Sequence, residues 1–235
     1  RWISSIAMYQ VWRPATRLAM VRRMSSETAF TAALAEHRAV AILRTDDRER
    51  AAAAMRAAVD AGFRVVEFTV TTPGALALIA EFSRDPRLTV GAGTVLTPEV
   101  AGEAVRAGAR FLVSPVLDER VVACARALGV AAVPGCFTPT ELWRAHEAGA
   151  AAQKLFPAPG DVAAYVRATL GPMPFLRIVP TNGVHAGNAA AVLRTGAAGV
   201  GFTTPLFDPG QVRVGDLTAI GERAAELLAA VRASL

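Results

Sequence analysis

The segment AVAILRTDDRERAAAAMRAAVDAGFRVVEFTVTT, residues 39–72, decides the fold. It opens on a short apolar run, AVAILR (39–44), that reads as a strand. DDRERAAAAMRAAVDAG (46–62) follows, with acidic residues at its start and a terminating Gly62, and reads as a helix. RVVEFTVTT (64–72) is a second strand. The same alternation then repeats along the chain. Strands are predicted near 88–93, 110–114, 130–134, 151–156, 176–180 and 197–201, with helices between them and a last helix near 216–232. Strict alternation implies a parallel sheet with helices packed outside it. Eight such units favour closure into a (β/α)8 TIM barrel over an open, doubly wound sheet. A further helix near 25–37 precedes the first strand and is expected to cover the bottom of the barrel.

Residues 25–235 are therefore expected to form one α/β barrel domain, a usual size for this architecture. Residues 1–24 are set apart by charge. They hold five arginines (Arg1, Arg13, Arg17, Arg22, Arg23) and no acid, leaving 20 basic and 20 acidic residues in the remainder. The net charge of +5 thus comes from this extension and not from a basic binding face, which argues against a nucleic-acid partner. The extension is expected to be unstructured, with Met24 as the functional start; a targeting peptide is the alternative. Apolar runs all fall short of about 18 residues, so no membrane span is expected. Two cysteines and three scattered histidines supply neither a disulfide framework nor metal-ligand spacing. A cytoplasmic, metal-free and cofactor-free protein is expected.

In barrels of this kind the chemistry sits where strands end. Side chains alternate along a strand, so Glu67 shares a face with Val65, Thr69 and Thr71, while Val66, Phe68 and Val70 suit packing against helices. Glu67 is thus expected to point inward. In AAQKLFP (151–157), Lys154 shares a face with Ala152 and Phe156 and is expected inward too. Lys154 is the single lysine beside 24 arginines. A structural ion pair would be served at least as well by arginine, and such pairs stabilise little once desolvation is counted. A primary amine, in contrast, can lose its proton and attack a ketone to form a Schiff base, which guanidinium cannot do. An apolar interior favours the neutral amine, and Glu67 would serve as the acid/base group. GAGTVLTPE (91–99) offers Thr94 to a substrate oxygen, or else is an ordinary turn with Thr97 capping a helix. VPTNGVHAGN (179–188) and GVGFTTPLF (199–207) end strands seven and eight, the common phosphate site of such barrels, or are simply two glycine turns.

The ordered set VVEFTVTTPGALALI, VGAGTVLTPE, FLVSP, VPGCFTPTEL, QKLFPA and VPTNGV resembles the 2-keto-3-deoxy-6-phosphogluconate (KDPG) aldolase family, whose members often also act on 4-hydroxy-2-oxoglutarate (KHG). The resemblance spans roughly residues 39 to 207. It implies a (β/α)8 fold, a homotrimer and a metal-free class I aldolase. The implied substrate is a small-molecule keto acid, foremost 2-dehydro-3-deoxy-6-phosphogluconate, split to pyruvate and glyceraldehyde 3-phosphate. By motif, Lys154 matches the Schiff-base lysine, Glu67 the acid/base glutamate and Thr94 the threonine that contacts the pyruvyl carboxylate. Pro115 and Phe156 match pocket-wall residues. Thr181, Asn182, Gly183, Gly201, Phe202 and Thr203 fall on the phosphate segments.

Three positions depart from the pattern. Thr71, counted with the substrate-binding residues, stands where well-known members carry a carboxylate-binding arginine. Arg44, at the end of strand one, is expected to take that task, as in relatives resembling the phosphogalactonate aldolases, which also carry AILR. Asn182 and Phe202 stand where glycine is usual, and Phe202 is expected to narrow the phosphate site. These departures keep 4-hydroxy-2-oxoglutarate and the phosphogalactonate analogue open as substrates. Two rival readings also stand: an isomerase or epimerase with Glu67 as base, and a keto-acid-binding barrel without catalysis.

Overall fold

The computed structural model describes residues 26–234. The basic extension expected over residues 1–24 lies outside them. The elements are α1 (Ser26–His37), β1 (Ala39–Leu43), α2 (Arg48–Asp60), β2 (Val65–Thr69), α3 (Ala75–Phe82), β3 (Thr89–Gly93), α4 (Pro98–Arg106) and β4 (Phe111–Ser114). They continue with α5 (Glu119–Ala127), β5 (Ala131–Cys136), α6 (Pro139–Glu147), β6 (Gln153–Leu155), α7 (Val162–Leu170), β7 (Ile178–Pro180), α8 (Ala186–Arg194), β8 (Val200–Phe202), α9 (Pro209–Val214) and α10 (Leu217–Arg232).

All neighbouring strands pair in parallel, in the order β7-β6-β5-β4-β3-β2-β1-β8. β8 also meets β7. Thr181 bridges Gly201, and Ala198 N donates to Ile178 O at 2.9 Å. The sheet thus curls into the expected (β/α)8 barrel. The alternation expected from the sequence sorts its side chains into two cores. Ala39, Ala41, Leu43, Val66, Phe68 and Leu155 pack outward against the helices. Val40, Ile42, Val65, Val113, Val133 and Val179 fill the interior. Phe30 and Leu34 of α1 close the bottom, with the Phe30 ring 4.6 Å from Phe111.

Local chemistry starts each helix where the fold needs one. Asp47 accepts from Arg50 N at 2.8 Å to begin α2, and Thr97 accepts from Val100 N at 3.3 Å to begin α4. Thr138 and Glu141 form a reciprocal capping box on α6. The helix α9, between β8 and the last helix, was not anticipated. It is a six-residue piece capped by Asp208 and ended by Gly215 in the left-handed region, too short to show a helical period.

Candidate active site

Register brings the chemistry to one level of the barrel. Glu67 pairs with Ile42 of β1 and Gly91 of β3; across the interior, Lys154 pairs with Gly135 of β5 and Val179 of β7. Both side chains line a cavity of about 390 Å³ at the C-terminal ends of the strands. A smaller apolar void of about 20 Å³ lies on its barrel side, walled by Phe30, Val40, Phe111, Val113 and Val133, and again touched by Glu67 and Lys154. The two polar groups therefore stand at the junction between a greasy barrel floor and an open mouth.

Space for the carboxylate comes from the inner face of β3. A Cβ at Gly91 would collide with the Phe111 ring, and one at Gly93 would collide with Glu67 Oε1. Two glycines on one face thus let Phe111 fill the floor and Glu67 occupy the layer above it. Glu67 is only 2 % exposed. Burial pushes its carboxyl above the usual carboxylate range, and the charges of Lys154 and then Arg44 partly offset this. Lys154 is half-buried, and its Nζ lies 5.0 Å from the centre of the Phe156 ring. Among the described residues no ion pair within 4.0 Å ties Lys154 to an acid.

Arg44 and Thr94 flank Glu67 from the adjacent strands. The Arg44 Nη2 donates to Thr94 Oγ1 at 3.5 Å, and both residues line the mouth. Thr94 holds φ at 63°, a left-handed conformation that is costly for a β-branched residue. Thr97 caps α4, as the turn reading of this loop expected. Pro115 and Phe156 wall the same cavity, joined by Thr181, Asn182 and Thr203.

Four of the expected positions sit otherwise. Thr71 is exposed and does not line the cavity; its hydroxyl lies 3.1 Å from that of Thr69, which does. Phe202 is fully buried against the helices, edge-on to Phe63 with ring centres 6.2 Å apart. Its side chain therefore cannot narrow the mouth, contrary to expectation. Strand parity explains this, because Phe202 follows inward Gly201. Gly201 lies below the mouth, where a Cβ would meet Thr181 Oγ1 at 2.5 Å and Ile42 Cδ1 at 2.8 Å. Gly183 shapes the β7 loop with φ 74°, beside Asn182 at φ 71°. Sequence reasoning passed over Ile42, Thr69, Thr204, Phe207 and Pro209 as lining residues. Parity already placed Thr69 on the face of Glu67, and that signal was sufficient to find it.

Among the described residues no group of three His, Cys, Asp or Glu side chains is arranged to hold a metal ion, and no helix is long and apolar enough to cross a membrane. Cys136 is buried, and its thiol is pushed up to about 12 by burial and then by Glu141.

A parallel barrel with one amine and one buried carboxylate at its mouth has the equipment of a carbon–carbon lyase of the class I type, which needs no metal. Residues 30–223 match the family described as "Aldolase: KDPG and KHG aldolase". The chain belongs to this family and is a class I aldolase. It is 35 % identical over 176 residues to the 2-dehydro-3-deoxy-6-phosphogalactonate aldolase of Escherichia coli K12, a match covering 73 % of this chain and 85 % of that one. It is 38 % identical over 161 residues to the 2-dehydro-3-deoxy-phosphogluconate aldolase of Treponema pallidum, covering 67 % and 76 %. Among solved structures it resembles the KDPG aldolase of Legionella pneumophila with pyruvate captured as a covalent carbinolamine. That similarity has a TM-score of 0.76 at 25 % identity, covering 84 % of this chain and 97 % of that one.

Proposed function

We propose that this chain cleaves a 2-keto-3-deoxy sugar acid to pyruvate and an aldehyde, with Lys154 as the Schiff-base nucleophile and Glu67 as the acid/base group. The observation that carries the reading is the meeting of the only lysine with a buried carboxylate in one mouth cavity. Lys154 Nζ attacks the C2 ketone, and loss of water from the carbinolamine leaves an iminium. The iminium accepts the C3–C4 electron pair once the C4 hydroxyl has lost its proton. The aldehyde departs, and the enamine is protonated at C3. Hydrolysis then returns pyruvate and the free amine. Glu67 suits both proton transfers, because burial holds its carboxyl above the ordinary range. Arg44, with Thr94, is the group for the substrate carboxylate, since a carboxylate in a partly dry site needs a cation. The carbinolamine of the Legionella relative supports the same chemistry here.

Pyruvate release from 2-keto-3-deoxy acids tests the reading. Wild type should release pyruvate and Lys154→Arg should not, with unchanged circular dichroism. Equal activity in both would refute it.

The family resemblance also favours a homotrimer. Leu96, Val116 and Phe137 follow β3, β4 and β5 in their loops and stand 48 %, 54 % and 45 % exposed, apolar surface suited to association with further copies. Sedimentation equilibrium at three times the monomer mass is the expected result; a monomer at micromolar concentration would exclude the trimer.

A further inference from the structure

The proposed roles leave a chain of hydroxyls at the mouth unused. Thr69 ends β2, and its Oγ1 lies 3.1 Å from Thr71 Oγ1 and 3.3 Å from Thr72 Oγ1. Thr69 lines the mouth cavity, Thr71 is exposed, and Thr72 is buried without lining the cavity. Thr72 Oγ1 also accepts from Thr45 N at 3.3 Å.

Proton directions follow from what each group is able to do. A backbone N–H only donates, so the bond from Thr45 N takes one lone pair of Thr72 Oγ1. Among the described residues, Thr69 Oγ1 is the other hydrogen-bond neighbour of the Thr72 side chain. A buried hydroxyl proton without an acceptor is costly, so Thr72 donates to Thr69. Thr69 has a second lone pair, which suits Thr71, whose exposed hydroxyl can turn its proton inward. The Thr69 proton is then available to an acceptor in the cavity. A carboxylate only accepts, and as a charged acceptor it outcompetes the neutral Thr71 oxygen.

The same buried threonine anchors Arg44. Leu43, the last residue of β1, pairs with Phe68 of β2, and Thr45 is tied to Thr72. Arg44 is the one residue between these two anchors. On the other side of β2, Thr69 pairs with Gly93, the residue before Thr94. Arg44, Thr69 and Thr94 thus stand at the ends of three neighbouring strands, on the mouth side of Glu67.

We propose that Thr72 is a positioning residue for carboxylate capture. It holds the Arg44 turn in place and aims the Thr69 proton into the mouth, so that Arg44, Thr94 and Thr69 bind the substrate carboxylate together. The inference rests on the Schiff-base reading, in which this carboxylate belongs to the keto acid held by Lys154.

Borohydride trapping by the full chain over a range of pyruvate concentrations tests it. Thr72→Val keeps the branched shape and removes the hydroxyl, whereas Thr72→Ser keeps the hydroxyl. The pyruvate concentration that gives half-maximal adduct should rise by about tenfold in Thr72→Val, the scale of a hydrogen bond lost from a charged group. The final yield should not change, because Lys154 is untouched. Thr72→Ser should stay close to wild type. With methyl pyruvate, which has no carboxylate charge, wild type and Thr72→Val should trap alike. An unshifted half-saturation in Thr72→Val would overturn the inference. So would an equal shift in Thr72→Ser or with the methyl ester, since either marks a general structural effect. Where Thr72→Val fails to fold, Thr69→Val carries the test: its half-saturation must rise on the same scale, and an unshifted value overturns the inference. Adduct in wild type without these shifts defeats the inference alone, whereas absence of an adduct in wild type defeats the Schiff-base reading and the inference with it.

Discussion

Gly93 on β3 lies against Glu67 on β2 so closely that a Cβ at residue 93 would stand 2.0 Å from the Glu67 Oε1. The carboxylate has its position because β3 gives up a side chain there. Gly93→Ala should therefore displace Glu67 and lower kcat/KM by roughly 100-fold, the scale of a lost general acid/base. Steady-state pyruvate release measures it. Near-wild-type activity would show that the carboxylate has another place to stand.

Glu67 also sets a pH dependence of stability. Its carboxyl is raised above the ordinary value of 4.5 by burial. The folded protein consequently holds this proton when the unfolded chain has released it, and stability falls as pH rises through and above the ordinary carboxylate range. Glu67→Gln removes that loss. The variant should melt higher than wild type at neutral pH, with the difference shrinking as the pH is lowered towards 4.5. Thermal melts at several pH values check this; a gap that widens on acidification would contradict the assigned direction.

Arg44→Ala takes the cation from beside Thr94. A hydrogen bond to a charged group is worth about 1.5–3 kcal/mol, so KM for the keto acid should rise by roughly 10- to 100-fold with a smaller change in kcat. An unaltered KM would mean that the carboxylate binds elsewhere.

Thr94 stores strain at φ 63°. Thr94→Gly relieves it and should raise unfolding free energy by about 1 kcal/mol, while weakening pyruvate capture through loss of the hydroxyl beside Arg44. Denaturant unfolding and trapping yield report the two effects separately. A variant that is both less stable and fully active would contradict both halves.

The barrel was legible because strand and helix alternate and because parity on β2 and β6 sends Glu67 and Lys154 inward. Parity would also have turned Phe202 outward, had it been carried past Gly201. Other features were hidden for physical reasons. The inner-face glycines of β3 announce a turn as readily as a space for another strand's side chain, and only the register with β2 tells them apart. Arg44 lies one residue beyond the end of β1, where alternation no longer fixes direction. The short α9 shows no helical period, so the Asp208 cap beside the mouth could not be read from sequence pattern alone.

The proposed chemistry requires a covalent bond between Lys154 and the keto carbon of the substrate. Incubation with pyruvate and borohydride, followed by proteolysis and mass spectrometry of the peptide spanning residues 145–167, tests it most directly. A reduced pyruvyl adduct on Lys154 in wild type, and none in Lys154→Arg, is the expected result. An unmodified Lys154 peptide in an enzyme that still releases pyruvate would contradict it.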